Sequence, residues 1–117
     1  MKPDSHFWHT LDSLVAQSET AIDRPQGSTH PRYLEVIYPF DYGYLANTAS
    51  GDGDGIDIWL GSLPDKVPTA IICTVDLTKR DSEIKILLDC TPDEMHQIQN
   101  FHTSKKQAAT LIVRESS

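Results

Sequence analysis

The chain is short of basic residues: ten Lys and Arg stand against 17 Asp and Glu, and its 117 residues carry a formal charge of −7. Such an acidic balance argues against a nucleic-acid backbone or an anionic membrane as the main partner. An anionic small substrate stays open, because a bound divalent cation reverses the local field. Long apolar runs are absent too, none approaching the roughly 20 residues of a membrane-spanning helix. The opening residues, with Lys2 followed by Asp4, His6, His9 and Asp12, do not have the pattern of a secretory signal, so the cytoplasm is the expected location. Only two cysteines occur, Cys73 in AIICTV and Cys90 in ILLDCT. They form no CxxC pair and read as small buried thiols in a reducing compartment, without the electropositive setting of a nucleophile. Histidines are thinly spread: His6 and His9, then His96 and His102, make no full metal set.

What is present is ordinary for a globular domain, with 38% hydrophobic and 23% charged residues. The length suits one domain over residues 1–117. SHFWHTLDSLVAQSE (5–19) places Phe7, Trp8, Leu11, Leu14 and Val15 at helical spacing behind Ser5 as N-cap. Its exposed apolar side predicts self-association into a homo-oligomer. DRPQGSTHP is a loop, RYLEVIY (32–38) has strand composition ended by Pro39, and YPFDYGYLANT is an aromatic turn region. IDIWLG (56–61) is a strand with Ile56, Ile58 and Leu60 on one face. TAIICTVDL and SEIKILLDC flank the turn TKRDS as a hairpin. Thr91, Pro92 and Glu94 spell a capping box that starts a second helix, and ATLIVR (109–114) is a last strand. The expected fold is α+β, mainly β: a small five-stranded OB-like antiparallel barrel flanked by N-terminal and C-terminal helices.

SGDGDGIDIWL (50–60) crowds Asp52, Asp54 and Asp57 within six residues. On composition alone a solvated turn is the favoured account, since Asp and Gly are turn residues. A calcium loop of the EF-hand type is excluded. Counting from Asp52, Ile56 stands where an oxygen ligand is needed, Asp57 where Gly is needed and Leu63 where a bidentate Glu is needed. A Mg²⁺ site for phosphate chemistry fits better, because magnesium prefers a few carboxylates plus water and substrate oxygens.

DGDGIDI (52–58) resembles the signature of soluble (family I) inorganic pyrophosphatases, and YPFDYGYLANT (38–48) resembles the same family's Tyr-Pro-x-x-Tyr-Gly block, in the expected order and spacing. The likeness is clear over about residues 31–60. It implies a barrel fold, Mg²⁺ as cofactor, and pyrophosphate or a related small phosphoanhydride as substrate, hydrolysed to phosphate by activated water. By residue it implies Asp52 and Asp57 as metal ligands, Asp54 as the group that deprotonates the attacking water, and Tyr42 as a phosphate contact. HPRYLE (30–35) resembles a further block and would make Arg32 a phosphate-binding cation. FHTSKK (101–106) faintly resembles a Tyr-Lys clamp, with Lys105 at the Lys and Ser104 at the Tyr.

The downstream acid pair has two alignments in VDLTKRDSEIK. Asp76 with Asp81 keeps the acid-to-acid spacing, and Glu83 with Lys85 keeps the acid-to-Lys spacing. Both stay open, so Asp81 and Glu83 are candidate metal ligands and Lys85 a candidate substrate contact. The chain moves almost directly from RYLEVI to YPFDYGY, without the hairpin that bears a phosphate-binding Arg in the family. A relative that keeps the barrel as a phosphate- or metal-binding or interaction module is therefore the alternative to an enzyme.

Overall fold

A computed structural model describes residues 2–115. Helix α1 (Ser5–Ala16) starts one residue earlier in its cap than expected: Asp4, not Ser5, is the N-cap, its carboxylate accepting from the Phe7 N–H at 2.9 Å. Strand β1 (Thr20–Arg24) follows, then β2 (Asp41–Leu45), β3 (Asp57–Leu60), β4 (Pro68–Asp76), β5 (Asp81–Leu88), helix α2 (Pro92–Phe101) and β6 (Gln107–Val113). The capping box at α2 is formed as the sequence predicts. Thr91 Oγ1 accepts from the Glu94 N–H, and Glu94 Oε1 accepts from the Thr91 N–H at 2.8 Å.

The strands make one six-stranded sheet in the order β1-β2-β3-β5-β4-β6, where five antiparallel strands closed into a barrel are the sequence expectation. β1 and β6 are its two edges and do not pair with each other. The pair β3–β5 is parallel, with Ile58 opposite Ile86 and Leu60 opposite Leu88. The hairpin β4–β5 folds as expected, but its second strand, not its first, docks on β3. RYLEVIY is not a strand. Leu34 and Ile37 are 71% and 59% exposed, and the stretch closes on itself through His30 N–H to Val36 O and Val36 N–H to Tyr33 O. Apart from Tyr38, which ends the stretch and packs into the core, its apolar residues have no sheet face to cover, so strand composition alone does not hold it extended. The place beside β2 is taken by TAIDR instead.

Alternation along the strands divides the core into two layers. On one face Val15, Leu45, Ile58, Ile86 and Leu88 pack with Leu11, Leu14, Ile56 and Leu60 beneath α1, so the apolar face read for residues 56–60 is buried as a unit. Arg114 clamps that helix to the end of β6 by two bonds to the Asp12 carboxylate, 2.6 and 2.9 Å. On the other face Trp59, Ile72, Leu87, Cys90, Met95 and Ile98 pack beneath α2 with Tyr38, Phe101 and Tyr42. Both cysteines are free; Cys90 is buried and Cys73 half-buried.

β1 and β2 approach closely at Gly43. A Cβ there would lie 1.8 Å from the Ala21 carbonyl oxygen, which is backbone and cannot swing aside. Gly43→Ala is expected to destabilise the fold by about 2 kcal/mol, the cost of forcing backbone apart in a packed region. Gly51→Ala, whose added methyl meets nothing within 4 Å, is the control. Urea midpoints that match for the two variants would refute the close-approach account.

Candidate functional site

The α2 face of the sheet opens at one end into a cleft of about 560 Å³. Tyr42 of β2, Asp57 at the start of β3, and Glu83 and Lys85 of β5 all point into it, because each occupies the strand position that faces away from α1. Lys85 gathers them. Its ammonium donates to Tyr42 Oη at 2.9 Å, Asp57 Oδ2 at 2.8 Å and Glu83 Oε2 at 2.7 Å. The Tyr42 hydroxyl in turn donates to Asp57 Oδ2 at 2.8 Å. Lys85 has only 7% of its side chain exposed, against 31% for Asp57 and 21% for Glu83.

Burial alone would push Lys85 down, but Tyr42, Asp57 and Glu83 outweigh it and hold the ammonium above its ordinary pKa. Burial raises Tyr42, opposed by the Lys85 charge, so its phenol stays protonated through neutral pH. One wall of the cleft is thus a fixed donor–acceptor cluster with a permanent positive centre.

The acidic loop forms the next part of the wall. Asp52 and Asp54 both line the cleft, as do Asp76 and Asp81 from the β4–β5 hairpin. Asp52 is fully exposed and turned toward its own loop, accepting from Ser50 Oγ at 2.5 Å and the Asp54 N–H at 2.9 Å. The Ser50 bond, above all, holds its carboxyl below the usual range. Two candidates stand apart: Arg32 and Lys105 are exposed and are not among the cleft-lining residues, although Ser104 is.

Cations that the sequence reading passes over also line the cleft. Arg24 of β1 is the cross-strand partner of Tyr42 and donates to the Tyr38 hydroxyl, its guanidinium 5.4 Å from that ring. Lys79 reaches the cleft from the hairpin turn, and His30 from the loop after β1. Burial first, then the charges of Arg24, Lys79 and Arg32, push the His30 imidazole below its ordinary pKa. Among the described residues neither Arg24 nor Lys79 is in an ion pair with a carboxylate. Arg24 is an alternating position in TAIDR, a pattern short enough to be absorbed into the neighbouring loop. Trp59 and His102, the latter read from sequence only as part of no metal set, lie buried behind Tyr42: the Trp59 indole N–H donates to His102 Nε2 at 3.1 Å, and the indole packs edge-on to Tyr42 at 4.7 Å.

The donor set bears on magnesium in two ways. Seven carboxylate residues line the cleft against three Lys and Arg, and all their donors are the hard oxygens that Mg²⁺ prefers. Yet among the described residues no three Asp, Glu, His or Cys groups converge as a cage, because Lys85 sits between Asp57 and Glu83. The arrangement fits an ion held by one or two carboxylates and completed by water and substrate oxygens.

Solved structures with this arrangement of elements include an inorganic phosphatase from Anaplasma phagocytophilum, with a TM-score of 0.55 at 16% identity over 80% of this chain and 81% of that one. An inorganic pyrophosphatase from the bacterium Helicobacter pylori gives a TM-score of 0.55 at 14% identity over 84% of each chain. The fold is that of the inorganic pyrophosphatases. In sequence, the pyrophosphatase of Aeropyrum pernix is 33% identical over 60 residues, which cover 44% of this chain and 34% of that relative. The chain thus matches about a third of the curated pyrophosphatase's length. No protein-family profile matches it. Likeness to the pyrophosphatases in fold and local sequence agrees with the resemblance carried by residues 38–58, and the mainly β, α+β class holds with an open sheet in place of the barrel.

Proposed function

We propose that the chain hydrolyses inorganic pyrophosphate, or a related small phosphoanhydride, with Mg²⁺. The observation that carries this reading is the cluster of Lys85, Tyr42, Asp57 and Glu83 on the wall of a cleft that also holds free cations and the Asp52–Asp54 loop. Its likeness to the pyrophosphatases supports the substrate class.

Asp52 and Asp57 would hold the ion, with Asp81 and Glu83 as further carboxylates beside it. Bound there, Mg²⁺ would offset phosphate charge and acidify water. Asp54, exposed on the loop and engaged through its backbone with Ser50, has its carboxylate available as the base that accepts a proton from the attacking water. Tyr42, kept protonated, donates a hydrogen bond, and Lys85 fixes the position of both Tyr42 and Asp57. Arg24, Lys79 and His30 supply the donors for the departing phosphate, the part that sequence reading gives to Arg32 and Lys105. Among the described residues no helix is long and apolar enough to cross a membrane. Self-association remains part of the proposal.

Phosphate release from pyrophosphate, measured with and without Mg²⁺, tests the reading. Wild type should turn over only with the metal, and Asp57→Ala should lose more than about 100-fold, the scale of a positioned carboxylate. No release at high protein concentration with the fold intact would refute catalysis. It would leave a phosphate- or metal-binding module.

A further inference from the structure

Residues 27–38, outside the six-stranded sheet, fold back on themselves as a flap along the cleft. Gly27 N–H donates to Tyr38 O at 2.9 Å, Tyr38 N–H to Ser28 O at 3.0 Å and His30 N–H to Val36 O at 2.9 Å. The flap has two different sides. His30, Tyr33, Val36 and Tyr38 line the cleft, whereas Arg32, Leu34 and Ile37 do not. His30 organises the cleft side. Its Nδ1 accepts from the backbone N–H groups of Arg32 and Tyr33 at 3.0 and 3.3 Å, so the neutral ring carries its proton on Nε2. Its ring lies 5.1 Å from Tyr33 and, nearly parallel at 11°, 6.4 Å from Tyr38. Tyr38 is buried, but Tyr33 is held beside His30 with 48% of its surface in solvent.

An inorganic pyrophosphate ion has no use for such a surface. It is polar on every side, and it fills only part of a cleft of about 560 Å³, a volume within the roughly 300–1,000 Å³ range of sites for larger organic ligands. The ring of Tyr33 stands next to the groups that would receive the departing phosphate. His30 is one of them, and the charges of Arg24 and Lys79 both act on its imidazole. A diphosphate ester fits that order, with its organic body on the phosphate that leaves. We propose that the cleft takes a nucleoside diphosphate, with its base stacked on Tyr33. Every base has a face that an aromatic side chain can cover, so the flap selects for the presence of a base and not for its identity. In the reaction, water oxygen bonds to the terminal phosphorus and the bond from that phosphorus to the bridging oxygen breaks. The electron pair leaves on the nucleoside monophosphate, and a water proton passes to Asp54 and on to solvent. The chemistry rests on the hydrolase reading above; the binding does not.

The test compares phosphate release from ADP, methyl diphosphate and pyrophosphate by the full chain with Mg²⁺. ADP and methyl diphosphate share the diphosphate ester and differ in the nucleoside. Wild type should favour ADP over methyl diphosphate by at least about tenfold in kcat/KM, the scale of one stacked base. Tyr33→Ala should remove that preference, and Tyr33→Phe, which keeps the ring, should retain it. Leu34→Ala, exposed and outside the cleft, should leave the preference unchanged. Pyrophosphate turnover without a preference for ADP, or a preference that survives Tyr33→Ala, would overturn the proposal and leave the hydrolase reading standing. Where none of the three releases phosphate, that reading fails and calorimetry with Mg²⁺ decides the binding. ADP held at least about tenfold tighter than methyl diphosphate, and only with an aromatic ring at position 33, would support the flap as a base platform. Equal affinities would overturn it.

Discussion

Replacing Lys85 by methionine is expected to lower folding stability by about 3 kcal/mol at neutral pH, at the low end of the cost of breaking a buried ion pair. The methionine fills the same channel, so packing is nearly kept while the charge is lost. Asp57 and Glu83 are then left facing each other and Tyr42 without their common partner. Both carboxylates keep some solvent contact, 31% and 21% of their side chains, which is why the low end applies. The sign of the pH dependence follows from Lys85 being held above its ordinary value. Stability drawn from its charge is fully present below the unfolded Lys pKa near 10.4, and it is lost only as pH rises through the still higher folded value. Urea unfolding at pH 7 and pH 9 should therefore give the same difference between wild type and variant. Under the proposed function, pyrophosphate hydrolysis should fall with it, because Tyr42 and Asp57 lose the group that fixes them. Asp57→Asn introduced into Lys85→Met should recover part of the lost stability by removing one unpaired charge. A variant as stable as wild type would refute the account of Lys85 as the centre of the cluster.

That cluster also marks where sequence reading succeeds and where it stops. DGDGIDI and YPFDYGY are local strings, and strand alternation is enough to put Tyr42 and Asp57 on the same face of adjacent strands. The capping box at Thr91 is equally local, and it is present where expected. The parallel pairing of β3 with β5 is not local. It decides that Glu83 and Lys85 stand beside Asp57, while Asp76 and Asp81 face each other at the hairpin end. RYLEVIY misleads because Leu34 and Ile37 look like strand residues but are exposed, with no sheet to join. The same misreading hides Arg24: with the strand placed at 32–38, TAIDR is passed over and a cleft cation goes unnoticed. Sequence reading leaves the acids short of cations; the fold supplies Arg24 and Lys79 from segments outside the resembling stretch.

Behind the cluster, acidification should find its weak point at His102. The ring is 6% exposed, and its Nε2 accepts from the Trp59 indole N–H, so in the neutral form its proton lies on Nδ1. Burial, with the Lys85 charge adding to it, pushes His102 from 6.5 down to about 3. Above pH 6.5 the ring is neutral in both folded and unfolded chains and has no effect on the slope. Between pH 6.5 and about 3 the unfolded chain binds a proton that the folded chain refuses, so stability falls by up to about 1.4 kcal/mol per pH unit from this residue. Protonation would set two N–H donors against each other and release Trp59, which packs against Tyr42, Tyr38 and Phe101. His102→Gln keeps an acceptor for the indole and cannot titrate. It is expected to cost about 1 kcal/mol at pH 7 through imperfect hydrogen bonding, yet to lose one proton's worth of acid dependence. Urea unfolding at pH 7, 5 and 4 separates the two effects, because carboxylates contribute equally to both proteins and cancel in the difference. Curves that stay parallel over that range would mean His102 takes up its proton in the folded chain without penalty, and the buried His102–Trp59 bond would then not be what holds the floor of the cleft.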